Sequence, residues 1–204
     1  QFFAALIAIF AAFSVVLGCE LINKFPNRQY FRVSKPEPMS NEAQARTFFS
    51  QALIDMYNNK FKEAEEELQK ALALDPKSAY INFKLSQVYA EQNQNELAVK
   101  FCTQAIALDP QWTEPYHFMI QVYIFSHKPL EAEALAKKLL EMDPQDSSAI
   151  IELSRTYQAQ GLQGPSVLVL EEFLESYPKN LEVRQELAQL LVAMGRFDEA
   201  EMAY

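Results

Sequence analysis

Residues 58–77 read NNKFKEAEEELQKALALDPK, and the end of this stretch returns at a fixed distance along the chain. Its apolar residues lie three or four positions apart, as Leu68, Ala71 and Leu72 do, which is the spacing of one face of an α-helix. Proline lacks a backbone N–H and disfavours helical geometry in the residue before it, so it ends such a helix. The chain repeats this ending every 34 residues, at Pro76, Pro110, Pro144 and Pro178.

A constant spacing indicates that each block packs on a near copy of itself, because one inserted residue would rotate the packing face of a helix by about 100°. A small residue recurs at the twentieth position of each block, where it lets two helices approach closely: Ala64, Ala98, Ala132, Ser166 and Ala200. This period predicts an all-α solenoid of helical hairpins. The predicted blocks are 45–78, 79–112, 113–146, 147–180 and an incomplete 181–204.

The pattern resembles the tetratricopeptide repeat (TPR) family, through the motifs at 58–76, 97–110, 130–144 and 195–204. The resemblance covers residues 45–204 and implies a helix-turn-helix solenoid of about four and a half repeats. It also implies a groove, lined by the first helix of each repeat, that binds a helix or an extended peptide of another protein.

The groove positions that the resemblance implies are rich in aromatic and apolar residues across the first three repeats. Exposed apolar surface is typical of protein contact sites, although several of these aromatics could instead face the core. Some TPR modules bind a C-terminal carboxylate through several Lys, Arg and Asn side chains, but Lys84 is the one cation at the matching positions, so we exclude that subtype. The predicted groove residues are Phe49, Leu53, Tyr57, Tyr80, Phe83, Lys84, Gln87, His117, Phe118, Gln121, Phe125 and Arg155.

Residues 2–18, FFAALIAIFAAFSVVLG, contain no charge. As a helix this run extends about 26 Å, close to the roughly 30 Å of a bilayer core, so residues 1–22 are predicted to form a transmembrane helix or an export signal. The run ends in VVLGC, which resembles a bacterial lipoprotein signal and would make Cys19 a lipidated residue. Residues 23–44, rich in proline and polar side chains, are predicted to connect this anchor to the repeats, with Ser40 capping the helix that follows.

The two indications of membrane sidedness disagree. Basic residues follow the apolar run at Lys24, Arg28, Arg32 and Lys35, which under the positive-inside rule favours a repeat domain in the cytoplasm. The resemblance to a bacterial export segment favours the inner membrane with the repeats in the periplasm. We expect the periplasmic arrangement, and the cytoplasmic one remains its alternative.

Composition excludes several classes of function. With 27 acidic and 18 basic residues the net charge is −9, which disfavours a nucleic-acid partner, and the four glycines are too few for a phosphate-binding loop. His117 and His127 have no partners at metal-ligand spacing, and Cys102 occupies an inward helical position. The run EAEEE at 63–67 is typical of a solvated helix face. Trp112 is interpreted as a packing residue. We therefore predict no catalytic residue, no metal and no cofactor.

The sequence favours a non-catalytic, membrane-anchored scaffold that docks onto another protein as an accessory subunit or assembly factor of a membrane protein complex. A second hypothesis is a lipid-anchored periplasmic adaptor for secretin-type or pilus-type assembly. A third is the targeting arm of a larger enzyme that continues beyond residue 204.

Overall fold

The computed structural model describes residues 39–203, and these fold into helices joined by short turns. The helices form five consecutive pairs, one pair to each predicted block. In chain order they are α1 (Asn41–Tyr57) and α2 (Phe61–Leu74), α3 (Ala79–Glu91) and α4 (Asn95–Leu108), α5 (Glu114–Phe125) and α6 (Pro129–Met142), α7 (Ser147–Ala159) and α8 (Gln163–Ser176), and α9 (Leu181–Ala193) and α10 (Phe197–Ala203). The predicted all-α helix-turn-helix solenoid is confirmed.

The first helix begins directly after the predicted cap, four residues before the predicted first block. Helix α1 starts at Asn41, so residues 41–44, assigned to the connector, are helical. Ser40 is the N-cap, as predicted, and its Oγ accepts a hydrogen bond of 3.2 Å from the backbone N–H of Ala43. The predicted anchor at 1–22, Cys19 and most of the connector lie outside the described residues. Within 39–203, no helix combines the length and the apolar character that crossing a bilayer requires.

The helix pairs start and turn at recurring positions. Three later first helices begin at a side chain that accepts from the N–H three residues on: Ser78 for α3, Asp146 for α7 and Asn180 for α9. The turn inside each pair contains one residue in the left-handed region, and these residues are again 34 apart: Asn59, Asn93, His127, Gly161 and Gly195. His127 is therefore a turn residue of the hairpin in the third repeat.

Small residues sit where the two helices of each pair come closest, as predicted. Ala64, Ala98, Ala132 and Ser166 are fully buried, and Ala200 is nearly so. In the fourth repeat the close approach is also polar, because Ser154 of α7 donates a hydrogen bond of 2.8 Å to the backbone carbonyl of Ser166 in α8. Tight packing of this kind leaves little room for a larger side chain.

Candidate functional site

The first helices of the repeats, α1, α3, α5, α7 and α9, contact one another through side chains and form a continuous surface, which we call the first-helix face. Phe49 of α1 meets Tyr80 of α3, with ring centroids 5.4 Å apart. Further along the chain, Arg155 of α7 pairs with Glu186 of α9. All the predicted groove residues belong to these helices.

An aromatic row crosses the first three repeats on this face. The rings of Phe49 and Tyr80 are followed by Trp112, which stacks on Tyr80 with centroids 5.5 Å apart. Phe83 meets Trp112 edge-on at 5.0 Å and Phe118 at 5.6 Å. Edge-to-face and offset stacked rings stabilise one another beyond the area they bury, so the row is a rigid apolar surface. Trp112 is a packing residue, as predicted, and its ring lies against Tyr80 and Phe83 of α3.

Several apolar side chains on the helices that carry the row face solvent. Their exposed fractions are 38% for Leu53, 89% for Tyr57, 48% for Tyr80 and 69% for Phe125. Phe49 and Phe118 are half-buried. We call this part of the first-helix face, on α1, α3 and the C-terminal end of α5, the aromatic half.

Two grooves open on the aromatic half. One, of about 420 Å³, lies between α1 and α3 and is lined by Phe49, Tyr80 and neighbouring polar residues. The other, of about 330 Å³, is lined by Met56 and Phe118 among others. Both are shallow clefts between helices and not enclosed cavities, which suits a polypeptide segment better than a small molecule.

Phe83 requires a correction. The sequence analysis predicts it in the groove, but its side chain is fully buried beneath Trp112 and Phe118. It also packs against a buried cluster that contains Cys102 and Met119. Phe83 therefore supports the aromatic row from below and offers no surface to a partner.

Lys84 brings one positive charge into the aromatic half. Its Nζ lies 5.4 Å from the ring centroid of Tyr80 and 5.6 Å from that of Phe83, within the range of a cation–π interaction. The same Nζ donates a hydrogen bond of 2.9 Å to Oε1 of Gln87. Lys84 and Gln87 are both half-buried, so the charge is held at a fixed place.

The remaining part of the first-helix face, formed by His117 and Gln121 of α5 with α7 and α9, is polar, and we call it the polar half. His117 bridges two repeats: its Nδ1 lies 2.9 Å from Oε2 of Glu152, and its Nε2 lies 3.1 Å from Oδ2 of Asp146. Carboxylates only accept, so both ring nitrogens must donate, which requires the imidazolium form. The hydrogen bond with Glu152 raises the pKa of His117; burial opposes this, and the charges of Glu152 and Asp146 add to it.

Ion pairs continue along the polar half. Arg155 Nε and a terminal nitrogen donate to the two carboxylate oxygens of Glu186, at 2.8 and 2.9 Å. Ser147 Oγ donates to Glu182 at 2.5 Å, and Gln121 Nε2 lies 3.5 Å from Glu152. A groove of about 400 Å³ runs between these side chains, and its lining is mostly polar.

The structure gives the one cysteine of the described residues, Cys102, a packing role. Cys102 is fully buried, its Sγ donates to the carbonyl of Pro115 at 3.0 Å, and burial raises its pKa to about 12, which removes the thiolate that a nucleophile needs. Residues 39–203 contain no group of three or more side chains able to hold a metal ion.

The run at 63–67 is not uniformly solvated. Lys70 pairs with Glu67 at 2.7 Å, while Glu65 accepts hydrogen bonds from three side chains, Gln69, Tyr89 and Gln92. Tyr89 and Gln92 belong to the next repeat. The sequence analysis missed this contact because charge spacing within one helix cannot reveal a partner 24 or more residues away.

Comparison with known proteins agrees with the fold. Residues 55–120 match the family described as tetratricopeptide repeat. This stretch, about a third of the chain, is similar to tetratricopeptide repeats. Within residues 39–203, the ten helices keep the same two-helix arrangement on both sides of the matched stretch.

Among curated proteins, 149 residues are 26% identical to human Protein O-mannosyl-transferase TMTC1. The match covers 72% of this chain and 17% of that protein, so the chain spans about a sixth of the length of this relative.

Solved structures with the same repeats are similar in fold. A putative kinesin light chain from Podospora anserina with nearly identical TPR-like repeats superposes with a TM-score of 0.66 at 21% identity, covering 81% of this chain and 93% of that one. The first TPR of Spaghetti (RPAP3), bound to the HSP90 peptide SRMEEVD, gives a TM-score of 0.54 at 22% identity, covering 59% of this chain and 95% of that one. At these identities the likeness shows the fold alone.

Proposed function

We propose that this chain is a non-catalytic scaffold, held at a membrane through residues 2–18, whose repeats bind a helix or an extended segment of another protein. It acts as an accessory subunit or assembly factor of a membrane protein complex. The observation that carries the proposal is the aromatic half of the first-helix face, where Tyr57, Tyr80 and Phe125 expose large apolar side chains to solvent. They belong to the same helices as the packed rings of the aromatic row.

The chemistry of the two halves indicates what such a segment looks like. Apolar side chains fit beside the aromatic row, and a carboxylate or a backbone carbonyl fits beside Lys84. The polar half already satisfies many of its own charges through His117, Arg155 and their partners, so we expect it to supply fewer contacts than the aromatic half.

The membrane part of the proposal comes from the charge-free run at 2–18, which is long enough for a bilayer core. A lipidated Cys19 would give the second candidate, a periplasmic adaptor for secretin-type or pilus-type assembly. Measuring the intact mass of the mature protein separates the two, because lipidation leaves an acylated Cys19 as the first residue, whereas a membrane helix keeps residues 1–18.

The likeness to human Protein O-mannosyl-transferase TMTC1 favours a third candidate, in which these repeats are the targeting arm of a longer enzyme. That candidate shares the docking role of the first-helix face and differs in adding a catalytic domain after the repeats. The sequence of the complete gene decides between them.

The docking role is tested by photo-crosslinking from the face itself. A photoreactive amino acid replaces Phe125 on the aromatic half in one variant and Leu130 on α6 in another; both native side chains are 69% exposed, so accessibility is matched. We expect a discrete crosslinked partner in membranes from position 125 and none from position 130.

Two further results complete this test. Replacing Tyr80 with Ser should reduce the crosslink from position 125 while leaving the helical circular dichroism unchanged. Equal crosslinking from positions 125 and 130, or an unchanged crosslink in the Tyr80 variant, would overturn the aromatic half as the docking surface.

A further inference from the structure

The groove of about 330 Å³ on the aromatic half has apolar walls and a single charge. Met56 of α1, Phe61 of α2 and Phe118 of α5 supply the walls, and all three side chains are half-buried. Gln87 and Glu91 of α3 line the groove as well. Of the described residues that line it, Glu91 is the one acidic or basic residue, and its side chain is exposed.

Two helix ends add to this negative charge. Met56 lies in the last turn of α1 and Glu91 is the last residue of α3, so the C-terminal ends of both helices reach the groove. Such an end carries a partial negative charge and favours a cation, and neither last turn contains a basic residue. Lys60 follows α1 but is not among the lining residues. None of the ion pairs within residues 39–203 includes Glu91.

Glu91 shares one side of α3 with Lys84 and Gln87. The spacing of three and then four residues places all three on the same side of a helix, and two turns separate Lys84 from Glu91, about 10 Å along the axis. The Nζ of Lys84 is held by the ring of Tyr80 and the amide oxygen of Gln87. Helix α3 therefore presents one positive and one negative charge in a fixed order, with the positive charge nearer its N-terminal end.

We propose that the groove at Glu91 binds a basic side chain, arginine or lysine, of the segment of another protein that docks on the aromatic half. An acidic residue of the same segment lies about 10 Å away, at Lys84. This inference rests on the proposed docking role of that half. Long basic side chains suit the groove, because their methylene groups pack on apolar surface while the charged end stays in water. The stem contacts Met56 and Phe118, and the charged end donates to Glu91.

The distance between the two charges of α3 constrains the sequence of the bound segment. A separation of about 10 Å corresponds to residues three apart in an extended segment and seven apart in a helix. A segment with two basic residues at this spacing would place one of them at Lys84, where like charges repel. The order of the charges also fixes the direction in which the segment runs along α3.

The test selects binding peptides without assuming a partner. A phage-displayed library of random dodecapeptides is panned on the whole 204-residue chain and on its Glu91→Gln variant. We expect peptides selected on the wild type to be enriched in a basic residue with an acidic residue three or seven positions away, and Glu91→Gln to abolish the enrichment of the basic residue. The matched control is Glu141→Gln, which removes another exposed carboxylate, near the end of α6, and should keep the wild-type pattern.

A double-mutant cycle then measures the contact. The most enriched peptide, carrying a fluorophore, should bind Glu91→Gln about tenfold more weakly than the wild type, because a charged hydrogen-bonded pair is lost. The same peptide with its basic residue changed to glutamine should bind the two proteins equally. An equal loss with both peptides would overturn the inference, because Glu91 would then act on something other than the basic residue.

The photo-crosslink from position 125 extends the test to the native partner. Glu91→Lys reverses the charge of the groove and should reduce this crosslink, whereas Glu141→Lys should not. An unchanged crosslink in Glu91→Lys, or selected peptides without a basic residue, would overturn this inference and leave docking by the aromatic half intact. No crosslink from position 125 with Glu91 in place would instead contradict the docking role itself. A crosslink to the same chain or to a second copy would also overturn the inference, because the occupant would not be another protein.

Discussion

The two halves of the first-helix face are built from the same repeat and are held together by different forces. In the aromatic half, neighbouring first helices meet through Phe49, Tyr80, Phe83 and Phe118, whose attraction depends on buried apolar area and ring geometry. In the polar half, they meet through His117 with Glu152, and Arg155 with Glu186. The same repeat fold can therefore present a surface for apolar docking beside a second surface whose contacts between helices depend on pH and salt.

The largest effect that separates the halves is expected at Phe83. Replacing Phe83 with Ala removes a fully buried ring beneath the row and should lower the free energy of unfolding by about 3–5 kcal/mol. Urea unfolding followed by circular dichroism measures the change. Phe125→Ala is the control, since that side chain is 69% exposed and its loss should change stability by about 0.5 kcal/mol or less. Equal losses in the two variants would contradict the burial difference.

An intermediate effect, specific to the polar half, is expected from His117. Its pKa is higher in the folded chain than its ordinary 6.5, so its stabilisation is fully present below pH 6.5 and is lost as the pH rises through the folded pKa. His117→Gln should lower the free energy of unfolding by about 1–2 kcal/mol at pH 5.5 and by less at pH 8. Unfolding measured at both values checks this.

A matching control lies in the other half of the face. Phe83→Ala removes no titrating group, so the loss it causes should be the same at pH 5.5 and pH 8. If His117→Gln also cost the same at both values, the imidazolium bridge between the third and fourth repeats would be refuted.

The smallest effect is expected at Arg155. Its pair with Glu186 is bidentate but more than half of the arginine side chain is exposed, so Arg155→Ala should cost about 0.2–1 kcal/mol. That cost should shrink in 1 M NaCl because salt screens exposed pairs, whereas the cost of Phe83→Ala should not. A double-mutant cycle with Glu186→Gln measures the coupling energy of the pair. If that energy were the same with and without 1 M NaCl, the contact would be held by packing and not by charge.

Sequence reasoning succeeds where the cause of a feature is local. The 34-residue spacing of the prolines, the small residues such as Ala64 and Ala98, and the cap at Ser40 each act within one or two helices, and the helix pairs result from them. The predicted boundary between connector and first block lies four residues inside α1, because helical residues 41–44 carry no apolar spacing to distinguish them from a linker.

The composition of the face was harder to predict because it depends on contacts between repeats. Periodicity places Phe83 at a groove position, but Trp112, which lies in a turn outside any helical pattern, folds over it. The charges within their own helices predict solvated side chains for Glu65 and Glu133. Their hydrogen-bond donors come from the next repeat. Binding by the aromatic half stays a prediction, since burial and geometry define a surface without identifying its ligand.

The fifth residue of the second helix is Glu65 in the first repeat, Val99 in the second and Glu133 in the third. Both glutamates accept hydrogen bonds from a Tyr and a Gln of the next repeat. This contact therefore recurs every two hairpins, not every one. Removing residues 79–112 would set Glu65 opposite Tyr123 and Ser126, and Glu65 would lose the amide donor that Gln92 of the next repeat provides. Removing residues 79–146 would bring Glu65 to Tyr157 and Gln160 and recreate the native pairing. The array should thus tolerate excision of the 68 residues 79–146 better than excision of the 34 residues 79–112, although the second deletion removes less of the chain.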